Sequence, residues 1–194
     1  SFVLSHWLQS TAFATDLKSD YLISFAAFAD IYYPGRFCYK TADLQKYTPA
    51  HKYNLALAID IMEHIEDDTL ALTNLYNSLQ SGGYIILSTP SNLDVAAKFT
   101  SEHIRAGYNK KELENKLQQI GFQIDKSYYT YGTYGALSWK LLLKIPLLLI
   151  TKKLYPLLLL YYPIVYPFAE ILMQLDMKTD NKRGTGILIV ARKL

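Results

Sequence analysis

Cysteine is nearly absent from this 194-residue sequence, in which Cys38 is the only one. A single thiol excludes an intramolecular disulfide and a cysteine-based zinc cluster, so no metal site is expected. Blocks of like charge are also absent, since 20 basic and 17 acidic residues are spread along the chain for a formal net charge of +3. Without a basic stripe to follow a phosphate backbone, a nucleic-acid partner is not expected.

The start of the sequence lacks an initiator methionine and the pattern of a secretory signal. Such a signal needs a basic start, an apolar run and a small-residue cleavage site. We therefore expect a fragment, or a protein whose beginning lies outside this sequence. Because single domains commonly have this length, residues 1–194 are expected to form one domain with its own core.

Strand and helix patterns alternate up to about residue 130, which is typical of parallel strands joined by helical crossovers. Strands are predicted over residues 11–15, 36–41, 53–59, 84–88, 122–129 and 186–191. Helices are predicted over residues 1–9, 19–29, 69–79 and 110–120, with Ser19 and Asn109 as caps. The apolar run at 53–59 is typical of a central parallel strand. The pattern therefore predicts an α/β fold.

Aspartates follow three of the predicted strands, where ligands bind in doubly wound sheets. Asp16 can accept hydrogen bonds from both hydroxyls of a ribose, because a carboxylate has two acceptor oxygens. Asp43 can accept from an adenine amino group while Leu44 flanks the base. Asp60 ends the third strand. The alternatives are a helix cap at Asp16 and a turn at Asp43.

Two histidines and an arginine are further candidates for chemistry. His64 follows Asp60, where an imidazole can take a phenolic or enolic proton near neutral pH. His103 and Arg105 lie in the segment after Pro90, where a guanidinium can pair with an anionic acceptor. The alternatives are a loop-fixing hydrogen bond for His64 and a solvated surface for the other two.

Two sequence blocks carry a resemblance to a known family: YNLALAIDIMEHI at 53–65 and LQSGGYIILSTP at 79–90. They resemble class I methyltransferases, particularly the ubiquinone-biosynthesis O-methyltransferase type. The likeness continues through 102–105, Tyr108, Leu113 and 121–122. It therefore covers roughly residues 1–124 and the final strand.

The resemblance implies a Rossmann-like sheet of seven strands, mostly parallel with the last antiparallel, and helices on both faces. It implies S-adenosylmethionine as the cofactor and a methyl acceptor facing His103, Arg105 and Tyr108. The residues that it places around the cofactor are Asp16 and Leu17 at the ribose, Asp43 and Leu44 at adenine, and Ala58, Ile59 and Asp60 beside the methionine moiety. It also implies that the first strand and the family's glycine-rich loop lie before Ser1.

The segment 137–175, ahead of the final strand, is rich in leucine, tyrosine and proline and has few charges. Its four prolines and two pairs of lysines predict short interfacial or cap helices in place of one spanning helix. Tyrosines and lysines that border leucine runs are typical of a membrane interface. The alternatives are a buried cap and a homodimer face.

These features predict an α/β methyltransferase domain with an apolar helical insertion. The expected reaction is in-line methyl transfer to an oxygen of a small or lipid-like apolar acceptor, with a carbon or nitrogen as the alternative acceptor atom. Much of its rate can come from positioning. The expected location is the cytoplasm, with peripheral contact to the inner face of the membrane through 137–175. The alternative function is a non-catalytic, methyltransferase-like binding or scaffold module attached to a membrane.

Overall fold

The structure is a computed structural model that describes residues 10–93 and 104–194, so the predicted helix over 1–9 lies outside the described residues. The strands are β1 (Ala12–Asp16), β2 (Phe37–Thr41), β3 (Tyr53–Ile59), β4 (Leu79–Pro90), β5 (Phe122–Thr130) and β6 (Gly186–Lys193). The helices are α1 (Ser19–Tyr32), α2 (Asp68–Ser78), α3 (Lys110–Ile120), α4 (Thr133–Trp139), α5 (Ile145–Thr151) and α6 (Leu158–Lys178). The predicted alternation of strands and helices is confirmed.

Two of the four strand pairs in the described residues are parallel, and the two pairs made by the final strand are antiparallel. β1 and β2 form a two-stranded parallel sheet, and the other four form a second sheet in the order β3-β4-β6-β5. β3 is parallel to β4, whereas β6 is antiparallel to both of its neighbours. These directions confirm a Rossmann-like α/β fold with an antiparallel final strand. The expected single sheet of seven strands differs from the six strands in two sheets that the described residues form.

Among the described residues, β3 lies at the edge of the four-stranded sheet, which differs from its predicted central position. Most of its apolar side chains are half-buried, and Ile59 at its end is exposed. Ala58 is buried in the core, and the ring of Tyr53 stacks on Phe13 of β1 at a centroid distance of 6.0 Å. A continuous apolar run therefore does not by itself predict how many neighbours a strand pairs with.

Of the two predicted helix caps, Asn109 is confirmed and Ser19 is not. Asn109 caps α3 by accepting hydrogen bonds from the backbone amides of Lys111 at 2.9 Å and Glu112 at 3.3 Å. Ser19 does not cap α1, because the N-cap position is Lys18 and Ser19 is already helical. The predicted cap is wrong by one residue, since a turn held by Asp16 intervenes after β1.

The core lies between the four-stranded sheet and the helices α2 and α3. Its fully buried side chains come from β4, β6, α2 and α3 and include Leu72, Ile85, Leu87, Leu117, Ile187 and Ile189. Burial of a leucine or isoleucine side chain contributes about 1.5 to 3 kcal/mol relative to leaving it exposed. This core fixes the ends of β3 and β4, where the candidate site residues lie.

An antiparallel pair of apolar helices, which we call the hairpin (residues 133–178), separates β5 from β6. Two stretches in it, Thr133–Thr151 and Tyr155–Lys178, are long and apolar enough to cross a membrane by length and composition. Only 17% and 6% of their most apolar windows is buried. The prediction of short, proline-bounded helices is wrong, because Pro163 and Pro167 lie inside the continuous α6.

Contacts between the two helices explain why the prolines do not interrupt α6. The Ser138 hydroxyl donates to the carbonyl of Ala169 at 3.1 Å, and the Tyr161 hydroxyl donates to the carbonyl of Leu141 at 2.8 Å. These contacts lie on either side of Pro163 and Pro167. Each proline removes one helical hydrogen bond, and the packing around it outweighs that local cost.

Candidate functional site

The carboxyl ends of β1 and β2 lie side by side. Asp16 pairs with Thr41 in the register of the two strands, and the backbone amide of Ala42 donates to the carbonyl of Asp16 at 3.0 Å. Asp43 follows immediately, and both aspartates are half-buried. The sheet therefore brings together the two residues that the sequence predicts at a ribose and at adenine.

The Asp16 carboxylate organises the chain between β1 and α1. Its Oδ1 accepts a hydrogen bond from the backbone amide of Lys18 at 2.8 Å. The side chain of the neighbouring Leu17 is exposed. Since carboxylate oxygens accept more than one hydrogen bond, this contact is compatible with further donors such as ribose hydroxyls.

The turn at Asp43 is held by its own side chain and by α2. Oδ1 of Asp43 accepts from the backbone amide of Gln45 at 2.9 Å, and Oδ2 lies 3.7 Å from the exposed Lys46 Nζ. The carbonyl of Leu44 accepts from Asn74 Nδ2 at 2.7 Å, while the Leu44 side chain packs against the core. The predicted turn role of Asp43 is thus present, and it leaves Leu44 fixed beside it.

Asp60 occupies a left-handed backbone conformation, with φ of 49°, directly after β3. Its amide donates to the carbonyl of Ser88 on β4 at 2.9 Å, and the Ser88 hydroxyl donates to Oδ1 of Asp60 at 3.0 Å. Before it, Ala58 is buried and Ile59 is exposed. A non-glycine residue in this conformation costs of order 1 kcal/mol or more, and such residues cluster at functional sites.

One hydrogen bond ties the turn after β2 to the loop after β3. Oε1 of Gln45 accepts from the backbone amide of Asp67, the N-cap residue of α2, at 3.0 Å. Because Gln45 lies next to the Asp43 turn and the loop from Asp60 ends at α2, this contact couples the two sheets at their carboxyl ends. The three predicted aspartates therefore lie on loops that support one another.

His64 lies in a 3-10 turn (Met62–His64) just past Asp60, and its side chain is exposed. Its backbone amide donates to the carbonyl of Ile61 at 3.0 Å. The side chain reaches solvent on the same loop as Asp60. This position is compatible with proton transfer to or from a bound acceptor, and that role stays a prediction.

Glu63 is a buried carboxyl that the sequence analysis did not single out. It is 1% exposed and accepts a hydrogen bond from the Thr89 hydroxyl through Oε2 at 3.1 Å. Burial raises the pKa of Glu63 above its ordinary value, although its hydrogen bonds and the charge of His64 act against that rise. An acidic residue in the loop after a strand gives no sign of burial in the sequence, so only the fold identifies it.

Arg105 and Tyr108, predicted at the acceptor, lie in a network around Asp68. Nη1 of Arg105 donates to the carbonyl of Met62 at 2.8 Å and to the Tyr108 hydroxyl at 2.7 Å, and Nη2 donates to the carbonyl of Glu66 at 2.9 Å. The Tyr108 hydroxyl in turn donates to Oδ2 of Asp68 at 2.7 Å. These contacts hold the segment after residue 103 against α2. An acceptor role for either residue stays a prediction, and His103 lies outside the described residues.

Asp68 collects the charges of this network. Lys116 Nζ on α3 lies 2.6 Å from its Oδ1, and Arg105 Nη1 lies 3.4 Å from its Oδ2. Burial raises the pKa of the Asp68 carboxyl, but the hydrogen bonds from Lys116 and Tyr108 and the two positive charges outweigh burial and hold the pKa below its ordinary value. Burial and the Asp68 charge raise the pKa of Tyr108.

A recess of about 260 Å³ opens beside this network. Its lining includes Asp68, Arg105, Tyr108, Asn109 and Lys116. It therefore lies beside the start of α3 and not at the Asp16 and Asp43 edge. In the part of the chain that the structure describes, no three His, Cys, Asp or Glu side chains are placed to hold a metal ion.

Comparisons with known proteins show the family of the chain through one family model and its fold through solved structures. The methyltransferase domain family matches residues 9–127, which is more than half of the chain. A search of curated proteins finds no match. The matched segment contains the predicted site residues Asp16, Asp43, Asp60 and Tyr108.

Several solved structures share the fold at low sequence identity. A phosphoethanolamine N-methyltransferase 2 of Haemonchus contortus, solved with phosphomonomethylethanolamine and S-adenosylhomocysteine, has a TM-score of 0.67 and 16% identity, over 98% of this chain and 45% of its own. An S-adenosylmethionine-dependent methyltransferase of Mesorhizobium loti has a TM-score of 0.62 and 16% identity, over 95% of this chain and 81% of its own. The cyclase SpnF has a TM-score of 0.64 and 14% identity, over 95% of this chain and 67% of its own. The chain thus spans less than half of the Haemonchus contortus enzyme.

Proposed function

Because the chain belongs to the methyltransferase domain family, we propose that it transfers a methyl group from S-adenosylmethionine to an oxygen of a small or lipid-like apolar acceptor. The observation that carries the proposal is the set of three aspartates at strand ends inside the matched segment. Asp16, Asp43 and Asp60 follow β1, β2 and β3, where doubly wound sheets bind ligands. The ubiquinone-biosynthesis O-methyltransferase type supplies the expectation of oxygen as the acceptor atom.

The donor and acceptor groups at this edge fit the cofactor. The half-buried Asp16 and Asp43 carboxylates offer acceptors for ribose hydroxyls and an adenine amino group, and Leu44 offers an apolar flank. Ala58, Ile59 and Asp60 would lie beside the methionine moiety. When bound, S-adenosylmethionine supplies an electrophilic methyl group on a positively charged sulfur. We take residues 1–194 as one such domain, with 137–175 as its apolar insertion.

The chain's own residues would contribute position and a proton acceptor. The backbone of Asp60, fixed by Ser88, sets the direction of the loop that carries His64. An imidazole at His64 would take the hydroxyl proton of the acceptor as the oxygen is methylated. Arg105 and Tyr108 would support the same loop through the carbonyl of Met62.

A second candidate function is a binding or scaffold module with this fold. The observation behind it is the likeness to SpnF, a cyclase, which indicates that this fold is not confined to methyl transfer. A shared fold therefore permits other activities. Cofactor binding without turnover of any acceptor would support this candidate.

The test incubates the intact protein with methyl-labelled S-adenosylmethionine and a panel of phenols of increasing apolar chain length. We expect labelled methyl ether and S-adenosylhomocysteine in equal amounts, and mass spectrometry of the product would identify the methylated atom. The double variant Asp16→Ala and Asp43→Ala should lose turnover. Asp20→Ala is the matched control, because Asp20 is an exposed aspartate on α1 four residues away. No cofactor binding by the intact protein would contradict the proposal.

A further inference from the structure

The hairpin exposes large apolar side chains on both of its helices. Leu159 and Leu160 on α6 are 81% and 72% exposed. Further exposed residues include Leu147, Leu148, Tyr155, Ile164, Tyr166 and Phe168. Soluble proteins rarely expose continuous apolar surfaces of this kind unless the surface binds a partner. The structure therefore points to an apolar occupant for the hairpin.

The charges of the hairpin indicate the chemistry of that occupant. Every charged residue from position 133 to 169 is a lysine, namely Lys140, Lys144, Lys152 and Lys153, and all four are exposed. A second copy packed on this stretch would bring lysines against lysines, since the acidic residues of the hairpin, Glu170 and Asp176, lie near its base. An anionic lipid surface instead offers both negative headgroups and an apolar interior.

The positions of the lysines also limit the depth of contact. Lys152 and Lys153 lie in the turn between the two helices, and Lys140 and Lys144 lie in the π-helical stretch Lys140–Lys144 of the first. A hairpin that crossed the bilayer would place the ammonium groups of Lys140 and Lys144 in hydrocarbon, which costs several kcal/mol. Lysine stems and tyrosine rings at the headgroup level, with leucines beneath them, avoid that cost.

We infer that the hairpin docks in the headgroup and acyl boundary of a bilayer that contains anionic lipid, without crossing it. The base of the hairpin supports this use, because Asp176 accepts from the amides of Gly135 at 3.0 Å and Gly132 at 3.3 Å. The bond to Gly132 ties the end of α6 to the turn after β5, and the bond to Gly135 ties it to α4. The inference does not rest on the proposed function, since vesicle binding needs neither cofactor nor turnover.

The test floats the intact protein with vesicles of phosphatidylcholine, alone or mixed with phosphatidylglycerol. We expect binding to the mixed vesicles, and an increase of salt from 0.1 to 1 M, which shortens the Debye length from about 10 to 3 Å, should weaken it. The double variant Leu159→Asp and Leu160→Asp should lose binding by about tenfold or more, because its new carboxylates face an anionic interface. Ile31→Asp on α1 is the matched control, since Ile31 is 74% exposed and lies outside the hairpin.

A second pair of measurements tests the charges and the depth. Lys152→Gln with Lys153→Gln should weaken binding to the mixed vesicles and leave any weak binding to phosphatidylcholine unchanged. A membrane-impermeant amine reagent added outside should still label Lys152 and Lys153 of the bound protein. Protection of both lysines would show a crossing hairpin and overturn the inference. Failure to bind either kind of vesicle would also overturn the inference. So would a dimer that forms through the hairpin when the protein does not bind vesicles.

Discussion

At the scale of single residues, Asp16 can be assigned by separating its two roles. In the intact protein, Asp16→Ala should lower the affinity for S-adenosylmethionine by about 10- to 150-fold, since each charge-assisted hydrogen bond contributes roughly 1.5 to 3 kcal/mol. Asp16→Asn retains an acceptor for the Lys18 amide and should spare the melting temperature. Isothermal titration and thermal melting measure the two effects. An unchanged dissociation constant with a lowered melting temperature would leave only the turn role.

The buried carboxyls Asp68 and Glu63 should respond to pH in opposite directions. The lowered pKa of Asp68 means that its contribution is present above its unfolded pKa and is lost as pH falls through the folded value. Asp68→Asn should therefore destabilise the protein near neutral pH by about 1 to 3 kcal/mol, and the difference should vanish in acid. The magnitude is modest because Lys116 and Arg105 are partly exposed.

Glu63 should change the stability of the protein with pH in the opposite direction to Asp68. Its raised pKa means that the folded state favours the protonated carboxyl, so stability is lost as pH rises through the folded value. Glu63→Gln keeps an acceptor for Thr89 and should raise the melting temperature above neutral pH, with no gain in acid. Melting curves recorded from about pH 3 to pH 9 test both variants, because this range includes the ordinary carboxyl pKa values and extends above neutral pH. Parallel curves for both variants would contradict this assignment.

The sequence predicts where some candidate residues lie but does not predict the contacts of others, and the reason is physical. The positions of Asp16, Asp43 and Asp60 after strands were predicted because strand ends can be recognised from apolar runs and turn residues, and their roles at a cofactor stay predictions. The partners of Asp68 could not be found in the same way, since Lys116 is 48 residues away and meets it only when α2 packs beside α3. Long-range pairing of charges is a property of the packed helices.

At the scale of elements, the cap of α3 is the most local test of the fold. Asn109→Ala should cost about 1 kcal/mol, because the amides of Lys111 and Glu112 lose their acceptor. Asn109→Asp keeps an acceptor and should be nearly neutral. Chemical denaturation compares the variants. A loss as large for aspartate as for alanine would show that the contact of the side chain amide, and not the cap, is what matters.

The helices also show where prediction from sequence ends. The bounds of α3 were predicted without error, because Asn109 and Gly121 mark its two ends and Gly121 adopts φ of 117°. α6 was missed because Pro163 and Pro167 usually end a helix. Its continuity depends on contacts with the residues around Ser138 and Leu141, which no pattern inside α6 reveals.

At the scale of the whole molecule, the hairpin should be separable from the sheet. Replacing residues 137–175 with a short polar loop should leave the melting temperature largely unchanged, because these helices pack mainly on each other. The variant retains Asp176 and its bonds to the amide of Gly132 at the base. It should also lose vesicle binding and turnover of apolar acceptors while keeping cofactor affinity in the intact protein. Unfolding on deletion would instead place the hairpin in the core, whose loss removes several kcal/mol.

The position of β6 has a consequence for the order of events during synthesis. β6 follows the hairpin in the chain but lies between β4 and β5, so the four-stranded sheet stays open until the hairpin has been made. Domains generally fold as units while open strand edges invite aggregation. We expect a chain that stops at Lys178 to be cut readily by protease within β4 and β5, and vesicles added during translation to reduce its aggregation. The membrane would then bind the hairpin before the protein is folded and protect the incomplete chain from aggregation.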